Sequence, residues 1–228
     1  MTRPNRMALV CALVMAPILL GASEALRKFV EQGRTHSGDE MANASEKITQ
    51  VAANISMWHL HGYVTLVGAL AWLGAMIALT YLISERRPAL GLVGGILGLG
   101  SALGWALHLG FYTVPLSVSA GMADDNLGAA ATVLAAGDSD SFGMAMVLFF
   151  IATNLLAHLV LGYGLWRATV APWWAAACLP ALPLLILDAG SSPWWGAPFL
   201  ILLLPFTTAA GRLLRDDSIA RRREPALR

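Results

Sequence analysis

Residues Met57 to Ile83 read MWHLHGYVTLVGALAWLGAMIALTYLI, a run without a single Asp, Glu, Lys or Arg. It exceeds the ~20 residues that a helix needs to cross a ~30 Å hydrocarbon layer. Working outward, five more stretches share its character: Met7 to Glu24, Ala89 to Val114, Phe142 to Trp166, Ala171 to Asp188 and Gly196 to Gly211. A composition of 57% hydrophobic and 13% charged residues, with mean hydropathy +0.64, places the whole chain in the membrane class. In lipid every backbone N–H and C=O must be paired within the chain, so these stretches predict helices. The expected fold is all-α: a six-span transmembrane bundle over residues 1–214, with a basic cytoplasmic tail over 215–228.

Charge orients the bundle. With the N-terminus inside, eleven of the fifteen Lys and Arg residues fall on the inner side, and only Arg27, Lys28, Arg34 and Lys47 fall outside. That asymmetry predicts cytoplasmic termini at the cell membrane. Ten of the fourteen acidic residues fall outside. A net charge of +1 argues against a nucleic-acid partner. Arg3 and Arg6 before an apolar run, with small residues at Ser23 to Ala25, also fit a signal peptide, whose removal would leave five spans. Cys11 and Cys178 fall in different spans near the inner half, which reads as two buried thiols rather than a disulfide.

Two excursions lie outside. The segment 42–56 carries Ile48, Val51, Ala52 and Ile55 at helical spacing, predicting an amphipathic helix on the outer membrane surface. The loop 115–141 holds acidic pairs, Asp124 with Asp125 and Asp138 with Asp140; a cation site fits them less well than capping of the next helix does. The inner loops are short enough to force antiparallel neighbours. Gly91, Gly94, Gly95, Gly98 and Gly104 supply a small-residue ridge for close helix approach.

Ionisable groups inside a span are the first functional candidates. His59 and His61 lie about 200° apart around a helix, so only one faces inward. His61 shares its face with Trp58, Thr65, Gly68, Ala69 and Trp72, and is the inward residue. In the third span Ser101, Trp105, His108 and Tyr112 form one stripe. Alternating span direction brings Glu24, His61, His108 and Asp188 to similar depth. They define a candidate outer-leaflet site with Trp58, Trp105, Tyr112, Trp194 and Trp195 as walls, although aromatic residues also populate membrane interfaces for their own sake. Asn154 and His158, deeper and four apart, read as a separate pair of interhelical hydrogen-bond formers.

The run Gly162 to Ala177, GYGLWRATVAPWWAAA, together with Trp58-His-Leu-His61 after an amphipathic segment, resembles a broad set of uncharacterised bacterial six-helix membrane proteins. The resemblance implies a fold and no activity. Signatures of zinc proteases, nucleophile-elbow hydrolases and Walker-type nucleotide binding are all missing.

Three functions fit these residues. The first is a membrane enzyme acting on an apolar, isoprenoid-like small molecule, a cyclase or isomerase. Glu24 or Asp188 would be the acid, His61 or His108 the proton partner and aromatic faces the cation stabilisers, without a cofactor. Its logic is similar to that of membrane-bound terpene cyclases. The second is a haem or copper protein using His61 and His108 as ligands. The third is a non-catalytic accessory or transport subunit.

Overall fold

The computed structural model describes residues 3–32, 39–138, 140–188 and 196–223, and among these no strand occurs. Five helical stretches are long and apolar enough to cross a membrane: Pro4–Val30, Ile55–Ser84, Pro88–Gly121, Ser141–Arg167 and Ala197–Arg215. They belong respectively to α1 (Arg3–Val30), α3 (Ile55–Ser84), α4 (Pro88–His108) with its extension, α7 (Ser141–Arg167), and a 3-10 segment (Ala197–Leu202) leading into α10 (Leu203–Arg223). The outer excursions are α2 (Glu40–Ala53), α5 (Val114–Gly121) and α6 (Ala123–Asp138).

The fifth expected span, Ala171 to Asp188, departs from expectation. It folds as α8 (Trp173–Ala176) and α9 (Cys178–Asp188), and its apolar helical part, Trp173–Leu185, is too short to be counted with the five. Such a length covers only about 20 Å at 1.5 Å per residue. Pro172 sits just before the short α8, and Pro183 lies inside α9. Each proline lacks the N–H that would continue an unbroken ladder.

The third stretch is longer than expected because α4 does not end at His108. Residues Leu109–Thr113 form a π-helical turn, and the N–H of Val114 donates to the carbonyl of Leu109. Pro115 follows directly. It cannot donate to Phe111 and its ring crowds that carbonyl, so the chain widens by one residue and continues as α5.

Neighbour relations close the helices into a ring: α1 packs on α3, α3 on α4, α4 on α7, α7 on α9, and the 3-10 segment and α10 return to α1. Glycines set the spacing of α4. A Cβ at Gly98 would lie 3.0 Å from Met76 Cβ of α3, and one at Gly94 2.7 Å from Leu161 Cδ2 of α7. One helix therefore approaches two neighbours closely through two glycine faces. At the inner end Arg86 donates to the Ala168 carbonyl at 3.3 Å and bonds Thr169, tying the α3–α4 turn to the turn after α7.

Two apolar cores result. The larger fills the ring with Leu13, Leu20, Trp72, Leu79, Leu161 and Phe206 among its buried members. The smaller sits at the outer end and joins Ile48 and Val51 of α2 to Val30, Trp58, Leu116, Ala120, Ala130, Ala131 and Leu134. The amphipathic stripe is therefore buried in protein rather than laid on lipid. The reason is that the second excursion folds into α5 and α6, whose alanines offer a face flat enough for close packing. Asp39 caps α2 by accepting from Met41 N at 2.9 Å, and Asp140 caps α7 by accepting from Phe142 N at 3.0 Å. Asp124 and Asp125 are exposed in the first turn of α6, where negative charge is favoured. Both cysteines are free, Cys178 buried as expected but Cys11 exposed on the outside of α1. Cys11 fails expectation because its face of the helix packs against nothing.

Candidate functional site

At the outer end of α1, spacings of three and four put Glu24, Arg27 and Glu31 on one face. The Arg27 guanidinium donates to Glu24 Oε2 through Nε at 3.0 Å and Nη2 at 2.7 Å, and to Glu31 Oε2 through Nη1 at 2.8 Å. Tyr112, turned inward on the π-helical segment, donates its hydroxyl to Glu31. All of this is largely withdrawn from solvent: the Arg27, Glu24 and Glu31 side chains are 14%, 7% and 8% exposed. Lys47 of α2 lies 6.0 Å from the Tyr112 ring centroid.

His61 belongs to the neighbouring face of α3. Its Nδ1 lies 3.0 Å from the Ser23 carbonyl oxygen and 2.9 Å from Ser23 Oγ, and Ser23 also bonds Thr65. A carbonyl oxygen only accepts, so Nδ1 carries the proton. Trp58 anchors the same region by donating Nε1–H to the Thr113 carbonyl at 3.1 Å. Rings run onward from Trp58 to Tyr112 at 5.9 Å, from Tyr112 to His108 at 5.1 Å and from His108 to Trp105 at 6.2 Å. As the helical faces implied, His61, Trp58, Thr65 and Trp72 are buried while His59 is exposed.

Beside this network lies a cavity of about 390 Å³, within the size range of small-molecule sites. Glu24 and Arg27 border it from α1, Trp72 from α3, Trp105 and His108 from α4, and Phe150, Asn154 and His158 from α7. Leu182, Pro183 and Leu184 of α9 and Phe199 complete the wall. Ile151, Leu155 and Leu184 line it while also being exposed, so the cavity opens sideways between α7 and α9. A smaller cavity of about 210 Å³ on the outer side shares His108 and Phe150 with it and is lined by Tyr112 and Met144.

The expected residues divide accordingly. Glu24, His108 and Trp105 meet at the larger cavity; His61 and Trp58 stand in the adjoining network and do not line it; Tyr112 lines the smaller one. Asp188 ends α9, but its side chain lies outside the described residues, as do Trp194 and Trp195. Glu24 takes two donors from Arg27, so as placed it is an ionised partner in an ion pair and not a free proton donor. Of the two cavities, His108 lines both and His61 neither. Among the described residues no group of three His, Cys, Asp or Glu side chains is gathered as for a metal ion.

Two sequence expectations change. Asn154 and His158 are not a site apart from Glu24 and His108, because one cavity reaches all four residues. They are not interhelical glue either: His158 Nδ1 bonds the Asn154 carbonyl of its own helix at 2.6 Å, and Asn154 Nδ2 and His158 Nε2 have no hydrogen-bond partner among the described residues. Arg27 and Phe150 were overlooked. The i, i+3 and i, i+4 spacing of Glu24, Arg27 and Glu31 was the available signal for the first, and no sequence signal marks the second.

The described residues form an all-helical bundle with five helices long and apolar enough to cross a membrane. Compared with protein-family models, curated proteins and solved structures, the chain matches none.

Proposed function

We propose that this chain is a multi-pass cell-membrane enzyme that binds an apolar, isoprenoid-like molecule in the larger cavity and acts on it by acid–base catalysis. The observation that carries the reading is one cavity with almost wholly apolar walls bordered by the His108 side chain, whose buried Nε2 has no partner among the described residues. A free ring nitrogen in such a place can take or deliver a proton. The faces of Trp72, Trp105 and Phe150 suit a transient positive charge on the substrate. Glu24, held by Arg27, adds fixed charge at the outer end, and Asp188 is the remaining carboxylate candidate for a donor. The sideways opening supports uptake from the lipid phase.

The test is turnover of polyprenyl substrates in membranes containing the protein. His108→Ala is expected to lower product formation by roughly 10²-fold or more, the usual scale of a lost general acid or base. Turnover within a few-fold of wild type, with normal insertion, would remove His108 from the chemistry.

We further propose that both termini are cytoplasmic, with Trp173–Leu185 and the adjoining residues completing a sixth crossing. The eleven-to-four distribution of basic residues supports this. In intact cells an impermeant thiol reagent should label Ser37→Cys and spare Ser218→Cys, in a background lacking the native cysteines; the reverse pattern would invert the topology.

A further inference from the structure

We propose that the two cavities are successive chambers of one groove along α7, and that the Phe150 ring between them sets how long an apolar chain the larger chamber accepts. This rests on reading the larger cavity as a site for an isoprenoid-like molecule, and it names the residue that selects among such molecules by length.

The chambers follow one another down α7. Met144 and Val147 line the smaller, Ile151, Leu155 and His158 line the larger, and Phe150 lines both. These positions recur every three or four residues, as one face of a helix does. On α4, which packs against α7, Phe111 lines the smaller chamber, Trp105 the larger, and His108 both. The two residues common to both chambers thus come one from each helix.

They are held differently. His108 stacks on Tyr112 with centroids 5.1 Å apart and planes 24° apart, and the Tyr112 hydroxyl is bonded to Glu31, so α1 braces it. Phe150 has no polar atom to tether it and is half-buried. Its ring rests on Gly104: a Cβ there would lie 2.9 Å from Phe150 Cγ and 3.1 Å from its Cβ, closer than packed carbons approach. Trp105 meets the ring edge-on, with centroids 5.3 Å apart and planes 73° apart. The ring therefore closes the groove by bulk alone, in space that glycine leaves on α4.

The side opening at Ile151, Leu155 and Leu184 belongs to the larger chamber, so a molecule arriving from lipid enters there and meets the ring with its leading end. The larger chamber measures about 390 Å³ and the smaller about 210 Å³. At the ~30 Å³ that a water-sized group occupies in a liquid, they seat roughly 13 and about 7 non-hydrogen atoms. Two isoprene units fit within the first. Four need both, and the ring stands between.

The experiment uses the full-length protein in lipid nanodiscs and measures equilibrium binding of geraniol, built of two isoprene units, and geranylgeraniol, built of four. Each affinity is divided by the partition of the same alcohol into empty nanodiscs, which removes the preference of lipid for the longer chain. Wild type is expected to favour geraniol roughly tenfold, the scale of overpacking a filled cavity. Phe150→Ala should abolish or reverse that preference, and adding Gly104→Leu to it should restore the preference by refilling the gap from α4. Phe150→Leu, the milder change, should shift it in the same direction by a few-fold. Equal normalised binding of both alcohols to wild type, or a preference unmoved in Phe150→Ala and Phe150→Leu while geraniol still binds, would overturn the partition and leave the apolar site standing. Failure of wild type to bind either alcohol would overturn the partition together with the reading of the cavity on which it rests.

Discussion

The charged groups of α1 and the polar groups on α7 differ in one respect: Glu24, Arg27 and Glu31 are closed on one another, whereas Asn154 Nδ2 and His158 Nε2, like His61 Nε2 and His108 Nε2, have no partner among the described residues. Arg27 spends its donors on Glu24 and Glu31, Tyr112 on Glu31, and His61 its Nδ1–H on Ser23. Asn154 Nδ2 and His158 Nε2, equally deep in the protein, are spent on nothing among the described residues. Burial of a polar group costs free energy in both cases. Where partners are supplied by neighbouring helices the group serves the fold; where they are withheld, the cost stands. His108 stands between the two sets, stacked on Tyr112 and bordering the cavity, its buried Nε2 without a partner among the described residues.

The comparison can be broken most forcefully at Arg27. Arg27→Leu strands the buried Glu24 carboxylate and leaves Glu31 without its guanidinium partner though still bonded by Tyr112, a loss expected to cost about 3–5 kcal/mol and to lower the unfolding temperature in detergent sharply. Replacing Glu24, Arg27 and Glu31 together by apolar residues should recover most of that, because the desolvation penalty leaves with the charges. An Arg27→Leu protein that melts like wild type would mean the cluster is solvated and does not hold the fold.

A smaller effect is expected at the outer core. Ile48 is fully buried against α5 and α6, so Ile48→Ala should cost about 2–4 kcal/mol. Were α2 resting on lipid, the same change would barely move the unfolding curve and would only weaken membrane contact of one helix.

The finest test sets one histidine against another. His61→Phe removes the Nδ1–H donor from the Ser23 carbonyl and hydroxyl, while Ser23 and Thr65 keep each other as partners, at about 1–3 kcal/mol. His158→Phe gives up the Nδ1–H bond to the Asn154 carbonyl but keeps the ring stack on Trp72, so stability should fall by only about 0.5–1.5 kcal/mol. Equal destabilisation by both would erase the distinction between closed and open polar groups.

Much of this was legible in the residues themselves. The absence of charge from long apolar runs decided that the chain forms membrane-length helices, because lipid offers no partner for backbone or charged side chain. Helical periodicity decided which face of α3 turns inward, since His61, Trp58, Thr65 and Trp72 follow one stripe whatever packs against it. Alternating span direction grouped Glu24, His61, His108 and Asp188, of which Glu24 and His108 border the larger cavity. Only the tertiary structure decided which groups are satisfied. Arg27 could pair within its helix from spacing alone, but whether Asn154 and His158 met donors and acceptors on another helix depended on how far α7 stands from α1 and α9. The glycine faces of α4 and the prolines around α9 determine that separation. Likewise, composition left the stripe of α2 free to choose lipid or protein, because both are apolar; the alanine face of α6 decided it by packing more closely than lipid chains can.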